Sequence, residues 1–147
     1  MQAADKNKSK SNTRYIITVA VATYFFWSSL YLYVPGLPLH ARTLGASLEM
    51  IGYVIASYAI GQLLLRIPIG IGSDIVGRRP FAIVALILSG LGGVWLALSP
   101  DPWSLFAARS LTGVAAAGWV AISVLFASYY PSGKTSKAMA VIMSVNT

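Results

Sequence analysis

The sequence predicts an all-α integral membrane protein, and three observations predict it. The hydrophobic set makes up 56% of 147 residues and charged residues only 10%, against about 25% charged in soluble domains. Mean hydropathy is +0.69. Three long stretches, from Arg14 to Arg42, Arg79 to Asp101 and Arg109 to Lys134, contain no charge between those ends. About 20 apolar residues cross a bilayer as a helix. This pattern excludes a soluble enzyme, a disordered tail and a coiled coil. We expect four complete transmembrane helices and the start of a fifth.

Residues 1–14 form a polar tail with Lys6, Lys8 and Lys10. It lacks the short apolar core and small-residue cleavage site of a secretory signal and is read as a mobile, solvated segment. The first span covers about residues 15–33. Pro35-Gly36-Leu37-Pro38 should break it, with a loop through Gly45 to follow. Ser47 is a plausible N-cap, and Glu49 falls in the first turn, where the helix dipole favours an anion. The second span covers about 48–73, with a kink expected at Pro68. A polar turn runs from Asp74 to Arg79, and Pro80 suits the first position of the next helix.

The third span is about 81–98. Asp101 can cap and Pro102 start the fourth, about 103–129, with Trp103, Tyr129 and Tyr130 as interfacial anchors. A further apolar segment at 137–147 rises only about 15 Å, half a hydrocarbon core, so the natural protein is expected to continue.

The net charge is +7. Its cations lie at the ends of apolar segments rather than along an exposed stripe, which argues against nucleic acid and for a lipid surface. Lys6, Lys8, Lys10, Arg14, Arg78, Arg79, Lys134 and Lys137 fall on one side of the membrane and Arg42 alone on the other. The positive-inside rule then puts the N-terminus in the cytoplasm of a multi-pass cell-membrane protein. There is no cysteine and one histidine, His40. No thiol chemistry, metal cluster or nucleophile–base pair can be assembled, and no cofactor or enzymatic activity is expected.

Three groups of residues are candidates for function. Asp74 ends a helix, where the dipole disfavours an anion. Arg78 and Arg79, across a turn eased by Gly77, can reach back to it or forward to phosphates. A plain basic loop is the alternative. Arg109 lies six residues after Trp103, about 9 Å into the membrane. It either snorkels to the interface or pairs structurally, or it takes part in coupling or substrate binding, with Thr112, Gly113 and Ala116 on its own face.

Tyr24, Trp27, Ser28 and Tyr31 share one face of the first helix. Tyr58, Gln62 and Arg66 form a row on the second. Both faces, with Trp119 of the fourth helix, either line a cavity for an amphipathic or aromatic ligand or serve packing. Arg66 has a snorkelling alternative. Small pairs such as Gly52/Ala56, Ser57/Gly61 and Gly113/Ala117 mark close helix contacts.

Gly70-x-x-x-Asp74-x-x-Gly77-Arg78-Arg79 between a second and a third span resembles the signature loop of the major facilitator superfamily. The Pro35–Pro38 helix ending looks like that of its drug and metabolite exporter branches. Arg109-x-x-x-Gly113 is similar to a motif of proton-coupled members. The resemblance covers the chain from Tyr15 onward, about the first third of a twelve-helix protein and part of its N-terminal six-helix bundle. Ile75 stands where the family often has Arg or Lys.

The resemblance implies a conformational latch. Asp74 would pair with an arginine and with groups of the missing C-terminal half. Gly70 and Gly77 would permit close approach and the turn, and Arg78 and Arg79 would position the loop. It implies a secondary transporter of a small organic solute, exported in exchange for protons. No carboxylate lies mid-membrane in these spans, so a proton-carrying one would belong to the rest of the protein. The alternatives are a self-contained four-helix scaffold or accessory subunit and a small dimeric exporter, which would want an acidic residue in the first span.

Overall fold

The computed structural model describes residues 2–130 and 133–146. Among the described residues every regular element is a helix. Four stretches are long and apolar enough to cross a membrane: Thr13–Thr43, Leu48–Val76, Arg78–Ala97 and Pro102–Ser128. The shortest, at 20 residues, rises about 30 Å, one hydrocarbon core.

The first helix, α1, runs Gln2–Tyr31. It begins inside the segment read as a mobile tail, so 2–14 continues the helix rather than preceding it. The Pro35–Pro38 run also behaves differently from the expected loop. Val34–Gly36 forms a 3-10 turn and Leu37–Thr43 a short helix, α2. Pro35 and Pro38 each occupy the first turn of their segment, where the absent N–H would have no helical partner. Leu37 and Ala41 of α2 are buried against α3 and α5 (Leu48–Val76 and Pro102–Ala117).

Ser47 caps α3 as read, its hydroxyl accepting from Met50 N at 3.2 Å. The helix is continuous through Pro68. Gly77 ends it and caps α4, Arg78–Ala97, which places Pro80 third rather than first in the helix. The site is still within the first turn, so no helical bond is lost. Asp101 caps α5 as expected, accepting from Trp103 N and Ser104 N at 2.9 Å each.

The fourth span is not one unbroken helix. It is α5 followed, after a turn at Gly118, by α6, Trp119–Ser128. The cause is packing: a Cβ on Gly118 would lie 2.3 Å from Ala85 Cβ of α4. The chain turns where it presses closest on its neighbour. The last helix, α7, is Thr135–Asn146.

The α5–α6 span is the hub and the most buried of the four, while α3 keeps most of its apolar surface outward. One core cluster gathers Phe26, Trp27, Leu30, Trp119, Ile122, Phe126 and Ile142 from α1, α6 and α7. A second joins Leu37, Ile51, Val54, Leu96 and Leu105 toward the other end. Small residues let the backbones approach, as lipid-embedded packing requires. Gly61, Gly92 and Gly113 each face a neighbouring helix at 3.0 Å or less from a notional Cβ. Gly52 and Gly90 face open space, so the expected Gly52/Ala56 contact does not form among the described residues.

Candidate functional site: a buried arginine and a surface ion pair

Arg109 and Gly113 lie on one face of α5, one turn apart. Gly113 has no side chain because α3 leaves no room. A Cβ there would meet Tyr58 O at 2.4 Å and Tyr58 Cα at 2.9 Å. The close crossing lets Arg109 reach over the ring of Tyr58, its Cζ 4.3 Å from the centroid. The ring of Tyr33, just past α1, lies 5.2 Å away. Arg109 Nη1 donates to Tyr33 Oη, which in turn donates to Thr112 Oγ1 at 3.3 Å. Thr112 donates to Arg109 O at 2.7 Å.

The arginine is 4% exposed, so the snorkelling alternative does not hold. Among the described residues no carboxylate pairs with it, because the one ion pair lies elsewhere. Its charge is held by two aromatic rings and a hydroxyl, and its Nε has no hydrogen-bond partner. A desolvated cation–π contact contributes about 2 kcal/mol, well short of the cost of burying an unpaired charge. A cation kept inside a membrane bundle at such cost points to function.

Of the cavity candidates, Trp27 and Trp119 fall in the core, ring centroids 5.3 Å apart and edge-on. Tyr31 stacks on Trp27 at 5.2 Å, with its outer surface exposed. Tyr58 packs on the same cluster, so aromatic surface and cation are contiguous. Tyr24 is turned outward, against Phe25. Gln62 is half-buried and Arg66 exposed, so the second-helix row drifts away from the cavity side toward the surface. Sequence reasoning missed Tyr33, which is separated from Arg109 by 76 residues and follows no periodic pattern.

At the basic end of the bundle, Asp74 Oδ1 accepts from Arg78 Nη2 at 3.0 Å and Nε at 3.3 Å. Both side chains are substantially exposed, and such pairs stabilise by about 0.5 kcal/mol. The pair therefore holds little of the fold. Gly77 makes the turn at φ +114° and ψ 147°, a region essentially confined to glycine. Gly77→Ala is expected to cost about 1–3 kcal/mol, read as a lower melting temperature of the purified protein. A melting temperature equal to the parent's would refute that strain. The close approach expected at Gly70 does not occur within the described residues. A Cβ there would make ordinary contact with Val120 at 3.7 Å. Arg79 turns from Asp74 toward Tyr15 and Tyr129.

Comparison with known proteins gives the family. Residues 16–147 match the model of the Major Facilitator Superfamily. The chain is 32% identical over 114 residues to the inner membrane transport protein YajR of Escherichia coli, covering 77% of this chain and 25% of that one. It is 37% identical over 98 residues to the class B tetracycline resistance protein of E. coli, covering 64% and 24%. It is 35% identical over 115 residues to the puromycin resistance protein pur8 of Streptomyces alboniger, covering 75% and 22%. The chain thus spans about a quarter of the length of these relatives. With four apolar spans and a family match that covers residues 16–147, the chain belongs to the Major Facilitator Superfamily.

Proposed function

We propose that this chain is the N-terminal portion of a secondary transporter that moves a small organic solute by alternating access. The observation that carries this reading is the buried Arg109 between the first, second and fourth spans, without an anion among the described residues and contiguous with the Trp27–Tyr31–Trp119 aromatic surface. A fixed cation beside aromatic walls suits an amphipathic ligand that carries a polar group. Three relatives bear drug-resistance names, which supports export of a drug-like or metabolite cargo. Another, the D-xylose transporter of Levilactobacillus brevis, bears a sugar's name.

The drug and metabolite proton-antiporter branch is the proposed home. Coupling to protons needs a titrating group, and Arg109 can only tune one. Glu49, Asp74 and Asp101 are all exposed at helix ends, so the proton carrier is assigned to the C-terminal part of the protein. The N-terminus is placed in the cytoplasm by the one-sided distribution of Lys and Arg. The basic end with Asp74 and Arg78 is then the cytoplasmic latch, meeting the other half when the outer side is open. A self-contained scaffold has less support, since it gives a buried unpaired cation nothing to do.

The test is uptake of tetracycline, puromycin and xylose into everted vesicles holding the full-length protein, with and without an imposed proton gradient. Gradient-dependent uptake of one drug is expected, and gradient-independent uptake overturns the antiport reading. Asp74→Asn removes the carboxylate that Arg78 holds while keeping its shape. It should cut the rate roughly tenfold, the scale of one charge-assisted hydrogen bond, while membrane insertion stays intact. An unchanged rate sinks the latch.

A further inference from the structure

The signature turn carries two arginines, and they do different things. Arg78 is satisfied by Asp74. Arg79 is not. Its Cζ lies 5.8 Å from the ring of Tyr15 and 6.0 Å from that of Tyr129, and these rings stack on each other at 5.4 Å. α1, the end of α6 and the start of α4 thus meet at one corner, with a guanidinium resting against an aromatic pair.

The corner is strongly positive. Arg14, Lys134 and Lys137 are exposed at the same end of the bundle, and among the described residues neither they nor Arg79 have an ion-pair partner. Beside the cations lies bare hydrocarbon: Ile75 is 79% exposed, Val76 71% and Ile17 58%. Aromatic contact holds a guanidinium without using its N–H donors on an anion, so the planar fork stays available for a bidentate acceptor. Uncompensated cations with adjoining apolar surface match a molecule with a phosphate next to an acyl chain. A free phosphate ion would have no use for the apolar part.

We propose that Arg79, held against Tyr15 and Tyr129, is the seat of an anionic phospholipid whose phosphate it binds, with Arg14, Lys134 and Lys137 adding charge and Ile75 and Val76 meeting the acyl chains. The site is away from Arg109, and it adjoins the Asp74–Arg78 pair without using either of its groups. It depends on the proposed orientation only for the leaflet that supplies the lipid.

The experiment is native mass spectrometry of the full-length protein in mild detergent with added phosphatidylglycerol or phosphatidylcholine. Phosphatidylglycerol should be retained in preference. Arg79→Gln should weaken its retention roughly tenfold, as loss of one charged hydrogen-bonding partner does. Arg42→Gln removes the same charge at the opposite end and should change nothing. Arg79→Lys, which keeps the charge and so guards against a folding defect, should fall between the two because the fork is gone. Equal retention by the parent and by either Arg79 variant overturns the site. An equal fall in Arg42→Gln overturns it in favour of bulk charge, and displacement by inorganic phosphate alone overturns the lipid assignment. Binding is read without transport, so a failure here is distinct from a failure of the transporter reading.

Discussion

Gly113→Ala is expected to destabilise the bundle by about 3 kcal/mol, the upper range for overpacking a close contact. The added methyl carbon would lie 2.4 Å from Tyr58 O, 2.9 Å from its Cα and 3.0 Å from its carbonyl carbon. All three are backbone atoms, so no side chain can swing away; α3 and α5 must separate. Separation also lifts Arg109 off the Tyr58 ring, 4.3 Å beneath it, and so the variant should lose transport along with stability. Gly52→Ala is the matched control, because nothing lies within 4 Å of its notional Cβ. It exchanges the same residues in a helix where alanine is better by about 1 kcal/mol. Melting temperatures of the two full-length variants, followed by tryptophan fluorescence in detergent, should part clearly, with Gly113→Ala lower and Gly52→Ala at or above the parent. Equal melting temperatures would show that the crossing is looser than the contact implies.

Gly113 also shows how far the sequence can be read. The four spans were legible because each is a long apolar run closed by charges, and a lipid-facing helix must satisfy its backbone internally whatever it packs on. The caps at Ser47 and Asp101 were legible because a cap is a contact between residues two or three apart. Glycine spacing marked Ser57/Gly61 and Gly113, but it could not say which glycines meet a backbone. Gly113 does and Gly52 does not, since that depends on the partner helix. The turn at Gly118 was hidden for the same reason: its cause is Ala85, on another helix. Periodicity flagged Tyr58, but only folding revealed that Arg109 rests on it and reaches Tyr33. Likewise the two arginines after Gly77 are equivalent in the sequence. They become different once Asp74 captures one and two distant tyrosines receive the other.

Arg109 itself carries the second large effect. Arg109→Lys keeps the charge and loses the planar face against Tyr58 and the fixed donor toward Tyr33. Arg109→Ala loses all three. If the guanidinium serves coupling, both variants should slow gradient-driven uptake by the full-length protein roughly a thousandfold, the scale of a desolvated cation–π contact together with a charged hydrogen bond. Stability should respond differently. The parent buries a cation with no anion among the described residues and leaves its Nε without a partner. Replacing a buried charge by an apolar group of similar volume is often neutral or stabilising. Arg109→Met should therefore melt at or above the parent temperature while transporting as poorly as the alanine variant. A structural arginine predicts the reverse, with lower melting and near-normal transport per folded molecule. Tyr33→Phe removes only the hydroxyl and leaves the ring, so it should fall between the parent and Arg109→Lys in rate. Parent-like gradient dependence in both Arg109→Ala and Arg109→Lys would take the residue out of the mechanism. A stable but inactive Arg109→Met would instead show that the bundle tolerates the unfavourable burial of this charge because transport uses it.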